Sequence, residues 1–119
     1  MHKTITIALI ILVASSVAEA EQSACDKISS QTENVQSFLN PPSSYKVIGE
    51  RRSYFYSAPH ENCRSKDIFV VTGDDLIAYT EYKGWYSVSY ANPKTGKDYD
   101  GWIKSERLKR TGAIRPETR

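Results

Sequence analysis

Several classes of function are excluded by what this chain has too little of. Its 119 residues hold two cysteines, two histidines and one methionine. A structural zinc site needs four ligands, and past His2, which falls in the first twenty residues, only two cysteines and one histidine remain, too few to close one without a carboxylate. Thr95-Gly96-Lys97 lacks the preceding glycine of a phosphate loop. An excess of one charge is missing too: 16 basic against 14 acidic residues leave a net +2. Nucleic-acid binders carry a concentrated basic face, so no nucleic acid is expected as a partner. Long apolar runs are absent as well. The best of them, Ile5 to Val13, is interrupted by Thr6 and falls short of the roughly 20 residues that span a bilayer. There is no repeat and no low-complexity stretch.

What that short run does resemble is the core of a signal peptide. Met1-His2-Lys3 gives it a basic start, and Ala18-Glu19-Ala20 gives it a small-x-small cleavage site. Residues 1–20 are therefore expected to be removed, leaving Glu21 to Arg119 as one periplasmic or secreted domain with no membrane insertion after cleavage. Gln22-Ser23-Ala24 is a poor context for lipidation of Cys25. In an oxidising compartment two cysteines favour one bond. A Cys25–Cys63 disulfide closing nearly 40 residues would be worth about 4 kcal/mol on the loop-entropy model. The core of so small a domain is limited, which makes that contribution matter.

Along the expected mature chain the texture changes once. Ser23 and Asp26 have the spacing of a capping box, with Asp for the usual Glu or Gln. Ile28, Val35 and Leu39 then fall near one face of a helical repeat, with Thr32 in the gap. Asn40-Pro41-Pro42 is read as the stop, since neither proline can donate a backbone hydrogen bond. This predicts one amphipathic helix over Ala24–Leu39, held by Val35, Phe38 and Leu39, with residues 21–44 as helix and Pro-Pro linker. From Tyr45 onward short β-prone runs alternate with turn residues. Strands are expected at Tyr45–Ile48, Ser53–Ser57, Ile68–Thr72, Leu76–Tyr82, Trp85–Tyr90 and Gly101–Lys104. Residues 45–109 would form the β domain, and 110–119, polar with Gly112 and Pro116, a loose tail.

Order and spacing within the β region carry a resemblance. "SYFYSAP", "VVTGDDLIAYTEYKGWYSVSY" and "GWIKSERL" together resemble a bacterial SH3 (SH3b) domain. Ala58-Pro59 stands at the family's Gly-Pro, Thr72-Gly73-Asp74 at its turn, Gly84-Trp85 at its Gly-Trp strand entry and Gly101-Trp102-Ile103 at its closing segment. The likeness covers roughly Gly49 to Lys109 and implies a mainly β fold, a small SH3-like barrel preceded by one short N-terminal α-helix. It also implies that Phe55, Ile103 and Leu108 point inward and that Tyr54 and Tyr56 face outward. The Asn92–Asp100 hairpin is longer than the family's usual turn. Lys104-Ser105-Glu106-Arg107 replaces the Pro-Ser-Asn-Tyr of eukaryotic SH3 domains, so proline-motif binding is not carried over.

Chemistry is hard to assemble from this set of residues. His60 lies three residues before Cys63, but a nucleophilic cysteine needs a base and an orienting group, and Cys63 is expected in the disulfide. Asp74-Asp75 reads as a turn. No catalytic residue, metal or cofactor is expected. Binding is the role that remains. A barrel this small cannot enclose eight tyrosines and two tryptophans. Tyr54, Tyr56, Trp85, Tyr99 and Trp102, flanked by Arg51, Arg52, Arg64 and Lys104, form the candidate surface, being side chains of the kind that dominate interfaces. The expected partner is a protein, a toxin or hydrolase attacking the cell envelope, with the chain acting as a monomeric inhibitor or immunity protein. The alternative is a peptidoglycan peptide held by a cell-wall-binding module, the role several SH3b domains perform, or else an envelope adaptor.

Overall fold

The computed structural model describes residues 8–113. One helix, α1 (Ala8–Glu33), leads into seven antiparallel strands: β1 (Ser37–Val47), β2 (Ser53–Tyr56), β3 (Arg64–Val70), β4 (Asp75–Tyr82), β5 (Trp85–Ala91), β6 (Asp98–Lys104) and β7 (Leu108–Ala113). Their order across the sheet is β3-β2-β6-β5-β4-β1-β7. Short 3-10 turns at Glu61–Cys63 and Ser105–Arg107 precede β3 and β7.

All seven strands feed one core. Tyr45 and Val47 come from β1, Phe55 from β2, Val70 from β3, Leu76 and Ala78 from β4, Val88 from β5, Ile103 from β6 and Leu108 from β7. A flat sheet could not bring its two outermost strands into one cluster, so this sheet curls around its apolar face. The architecture is mainly β and barrel-like, with one helix in front. Alternation supplies the cause: β4 reads exposed, buried, intermediate, buried, exposed, buried from Asp75 to Thr80. Phe55, Ile103 and Leu108 point inward as expected. The approach of β2 to β6 needs Gly101, where an added Cβ would lie 3.0 Å from the Phe55 ring and 3.1 Å from the Tyr56 carbonyl.

Several boundaries differ from the sequence reading. The helix does not begin at Ala24: α1 runs unbroken from Ala8 through residues of the expected signal peptide, so Ser23 lies inside it and does not cap its start. β3 and β6 begin earlier than expected, at Arg64 and Asp98, and β3 stops at Val70. The helix does not reach Leu39; it ends at Glu33, where the N–H groups of Val35 and Gln36 donate to the Thr32 carbonyl at 3.0 and 2.9 Å. Val35 and Phe38 are 61% and 74% exposed instead of packing the helix down, while Leu39 packs on the barrel core. Asn40-Pro41-Pro42 lies inside β1, not in a linker, with Asn40–Pro41 cis. Its prolines are tolerated because they fall in a bulge: pairing with β4 jumps from Phe38↔Thr80 to Ser43↔Ala78, so their missing N–H groups break no regular ladder. At the other end, Arg110–Ala113 is not tail but part of β7, paired to β1 from Val47↔Leu108 to Ser43↔Ala113. The remainder of the expected tail, 114–119, and residues 1–7 of the expected signal peptide lie outside the described residues.

The expected disulfide is present. Cys25 of α1 bonds Cys63 with Cα atoms 5.7 Å apart, and Ala58 and Ile28 pack around it in a second small cluster. Among the described residues, no helix is long and apolar enough to cross a membrane.

Candidate functional site

The loop between β1 and β2 shapes the site. Gly49 adopts φ 88° and Arg51 φ 67°, which turns the chain back over the end of the barrel. Arg107, from the 3-10 turn before β7, locks this loop from beneath. Its Nε donates to Ser53 Oγ at 2.8 Å, and its Nη2 to the carbonyls of Glu50 and Arg51 at 2.6 and 2.9 Å. That guanidinium is consumed in holding the wall.

Above it opens a cleft of about 630 Å³, lined by Arg52, Tyr54, Tyr56, Arg64, Lys104 and Arg107 among others. Strand alternation on β2 puts Phe55 in the core and leaves Tyr54 and Tyr56 on the other face. The cations there rest on aromatic rings. Arg64 sits 4.6 Å from the centre of the Tyr54 ring, and Arg52 4.2 Å from that of Phe69, which itself packs on Tyr54 at 5.6 Å. Such contacts contribute roughly 0.5–1 kcal/mol each at exposed sites and restrict where the charges can go. Lys104 lies 5.8 Å from both the Tyr56 and Trp85 rings and forms an ion pair with Glu61 at 2.5 Å. The Glu61 carboxylate holds its ammonium pKa above the usual lysine value.

Six of the nine residues expected in the site, Arg51, Arg52, Tyr54, Tyr56, Arg64 and Lys104, therefore line one cleft. Trp85 adjoins it: its ring meets Tyr56 edge-on at 4.7 Å, and it shares a neighbouring recess with Lys104. Tyr99 is elsewhere, opposite Tyr90 on β5 and in a separate recess with Phe69 and Pro93. Trp102 is not a surface ring. It is 7% exposed, in register between Tyr56 and Ser87, and borders a recess shared with Ser29 of α1. Helix and sheet together cover that face, which strand alternation alone could not reveal. Tyr56 is nearly as buried, at 9%. Sequence reasoning missed Arg107 and the Glu50–Ser53 wall, since a guanidinium's carbonyl partners leave no pattern in sequence.

The remaining candidates are accounted for by structure. Asp74 caps its own turn, its carboxylate accepting from Val71 N–H at 2.8 Å. Cys63 is in the disulfide and His60 Nδ1 accepts from Asn62 N–H at 3.1 Å. Among the described residues, no three His, Cys, Asp or Glu side chains converge on a possible metal position. Fold and site together define a small barrel-like β protein with a disulfide-pinned helix and a cationic, aromatic-walled cleft. Neither a family model, nor a curated protein, nor a solved structure matches the chain.

Proposed function

We propose that this chain is a non-catalytic, exported binding protein of SH3b type, whose cleft engages a protein partner as an inhibitor or immunity protein against an envelope-targeting toxin or hydrolase. The observation that carries the reading is the cleft itself: Arg52, Arg64 and Lys104 placed on Tyr54, Phe69, Tyr56 and Trp85 by a rigid barrel. Arginine and tyrosine present large contact areas; tyrosine has little entropy to lose, and ring contacts here restrict the arginines, which have more, before binding. The disulfide and the signal-like N-terminus support export. The turn at Thr72-Gly73-Asp74, between β3 and β4, supports the SH3b likeness.

The test pairs the purified, oxidised chain with envelope-degrading enzymes and with any secreted toxin encoded beside its gene. Stoichiometric inhibition, with a one-to-one complex by calorimetry, is the expected outcome. Sedimentation of the chain with purified sacculi, combined with no inhibition, would replace this reading by the cell-wall-binding one. Tyr54→Ala is the informative variant, because Tyr54 is only partly buried, whereas Tyr56→Ala would empty a buried position.

A further inference from the structure

The cations around the cleft are of two kinds. Arg107 and Lys104 are committed, one to the Glu50–Ser53 wall and the other to Glu61. Arg51, Arg52 and Arg64 are exposed, and among the described residues no carboxylate pairs with any of them and no hydrogen bond uses their guanidinium groups. The lining holds five cations, Arg51, Arg52, Arg64, Lys104 and Arg107, against two carboxylates, Glu50 and Glu106. Glu61, paired with Lys104 from just outside the lining, brings the local excess to two, as large as the +2 of the entire chain. The charge is therefore concentrated here and balanced elsewhere.

Resting on the proposed reading of this cleft, we infer that its ligand is an acidic segment of the protein partner, with several Asp or Glu carboxylates placed along Arg51, Arg52 and Arg64. Guanidinium groups match carboxylates because their planar fork can donate two parallel hydrogen bonds, which a lysine cannot. Arg52 and Arg64 are positioned by the rings beneath them and need little further ordering. Arg51 strengthens the case. It holds a left-handed backbone, φ 67°, which glycine would adopt without cost, and so places a third fork at the rim at an energetic disadvantage. The ring faces of Tyr54 and Phe69 are already occupied by cations, which leaves them unsuited to stacking on a neutral, proline-rich ligand.

The experiment measures fluorescence anisotropy of a labelled Glu-Asp-Tyr-Glu-Asp-Glu peptide against the purified, oxidised chain. The uncharged Gln-Asn-Tyr-Gln-Asn-Gln peptide and muropeptides from digested sacculi are run beside it. The acidic peptide is expected to bind, more weakly as salt is raised, with the other two inert. Arg52→Gln with Arg64→Gln should weaken binding by roughly tenfold or more, and Lys97→Gln on the distant hairpin should not change it. Arg51→Gln, at an exposed loop tip, provides a second variant should the double one unfold by circular dichroism. The inference is overturned if the acidic peptide fails to bind, if the neutral peptide or muropeptides bind as well as it does, or if the arginine variants bind like the parent. A chain that still inhibits an envelope enzyme after any of these results loses only the acidic-segment inference. Peptide binding without inhibition of any enzyme or toxin sinks the broader reading instead.

Discussion

Tyr86 is a tyrosine whose proton is held unusually tightly. The neighbouring Tyr45 hydroxyl, then burial, then the Glu81 carboxylate all push its pKa well above the ordinary 10.0. The two rings lie 4.8 Å apart on the wall of the core. In the unfolded chain this phenol ionises from about pH 10, while in the folded chain it stays protonated. Above that pH the folded state binds more protons than the unfolded state, and stability must fall as pH rises. Lys104 adds a loss of the same sign: its raised value gives stability that is full below its ordinary 10.5 and disappears as pH climbs through the folded value. The chain is thus expected to lose stability between about pH 9 and about pH 11. In Tyr86→Phe that loss should be smaller, although its stability at neutral pH falls by about 1 kcal/mol. Urea unfolding at both pH values checks this, and an undiminished alkaline loss in the variant would acquit Tyr86.

At the scale of elements, the helix and the sheet are held by different means. α1 touches the rest chiefly where Cys25 and Ile28 meet Ala58 and Cys63, whereas every strand is hydrogen-bonded to a neighbour and feeds the core. Replacing both cysteines by serine should cost about 3–4 kcal/mol through the loss of the loop constraint. It should also release the helix without melting the barrel. Hydrogen exchange would then show residues 25–33 losing protection while β4 and β5 keep theirs; loss of protection throughout would mean that the helix is integral to one cooperative unit. The same contrast explains what could be read from sequence. β4 was legible because buried positions alternate with more exposed ones along it; β2 and β5 were legible as β-prone runs between turn residues, and the disulfide from the cysteine count. The C-terminal end of the helix was not: Val35, Phe38 and Leu39 suit a helical face as well as a strand, and a bulge made room for the two prolines. β7 was invisible for another reason. Leu108 is its one buried position, and it is recruited by β1's backbone, with Thr111 Oγ1 donating to the Ser44 carbonyl at 3.0 Å and Arg110 Nε to Ser43 Oγ at 3.2 Å.

For the molecule as a whole, the curled sheet still has two ends. Among the described residues β3 pairs only with β2 and β7 only with β1, so each presents an unpaired row of backbone groups. Such edges invite a second copy to add a strand unless something discourages it. Here charge does so: Arg64, Lys66 and Asp67 are exposed on β3, and Lys109 and Arg110 on β7. The aromatic rings of the candidate site were identifiable from type, but which of them reach solvent depends on this three-dimensional arrangement of edges, helix and loop. β3 carries the greater hazard, because Ile68-Phe69-Val70-Val71 follows its charges directly, and Ile68 and Val71 are 37% and 45% exposed. Lys66→Val with Asp67→Val would turn Ser65–Val71 into seven uncharged, β-prone residues with no proline. That variant should keep the parent's circular dichroism when dilute but self-associate with concentration, while the parent stays monomeric by light scattering. A variant as monomeric as the parent at every concentration would show that the twist of β3, not its charge, protects the edge. Lys66 and Asp67 would then be free to change without affecting solubility.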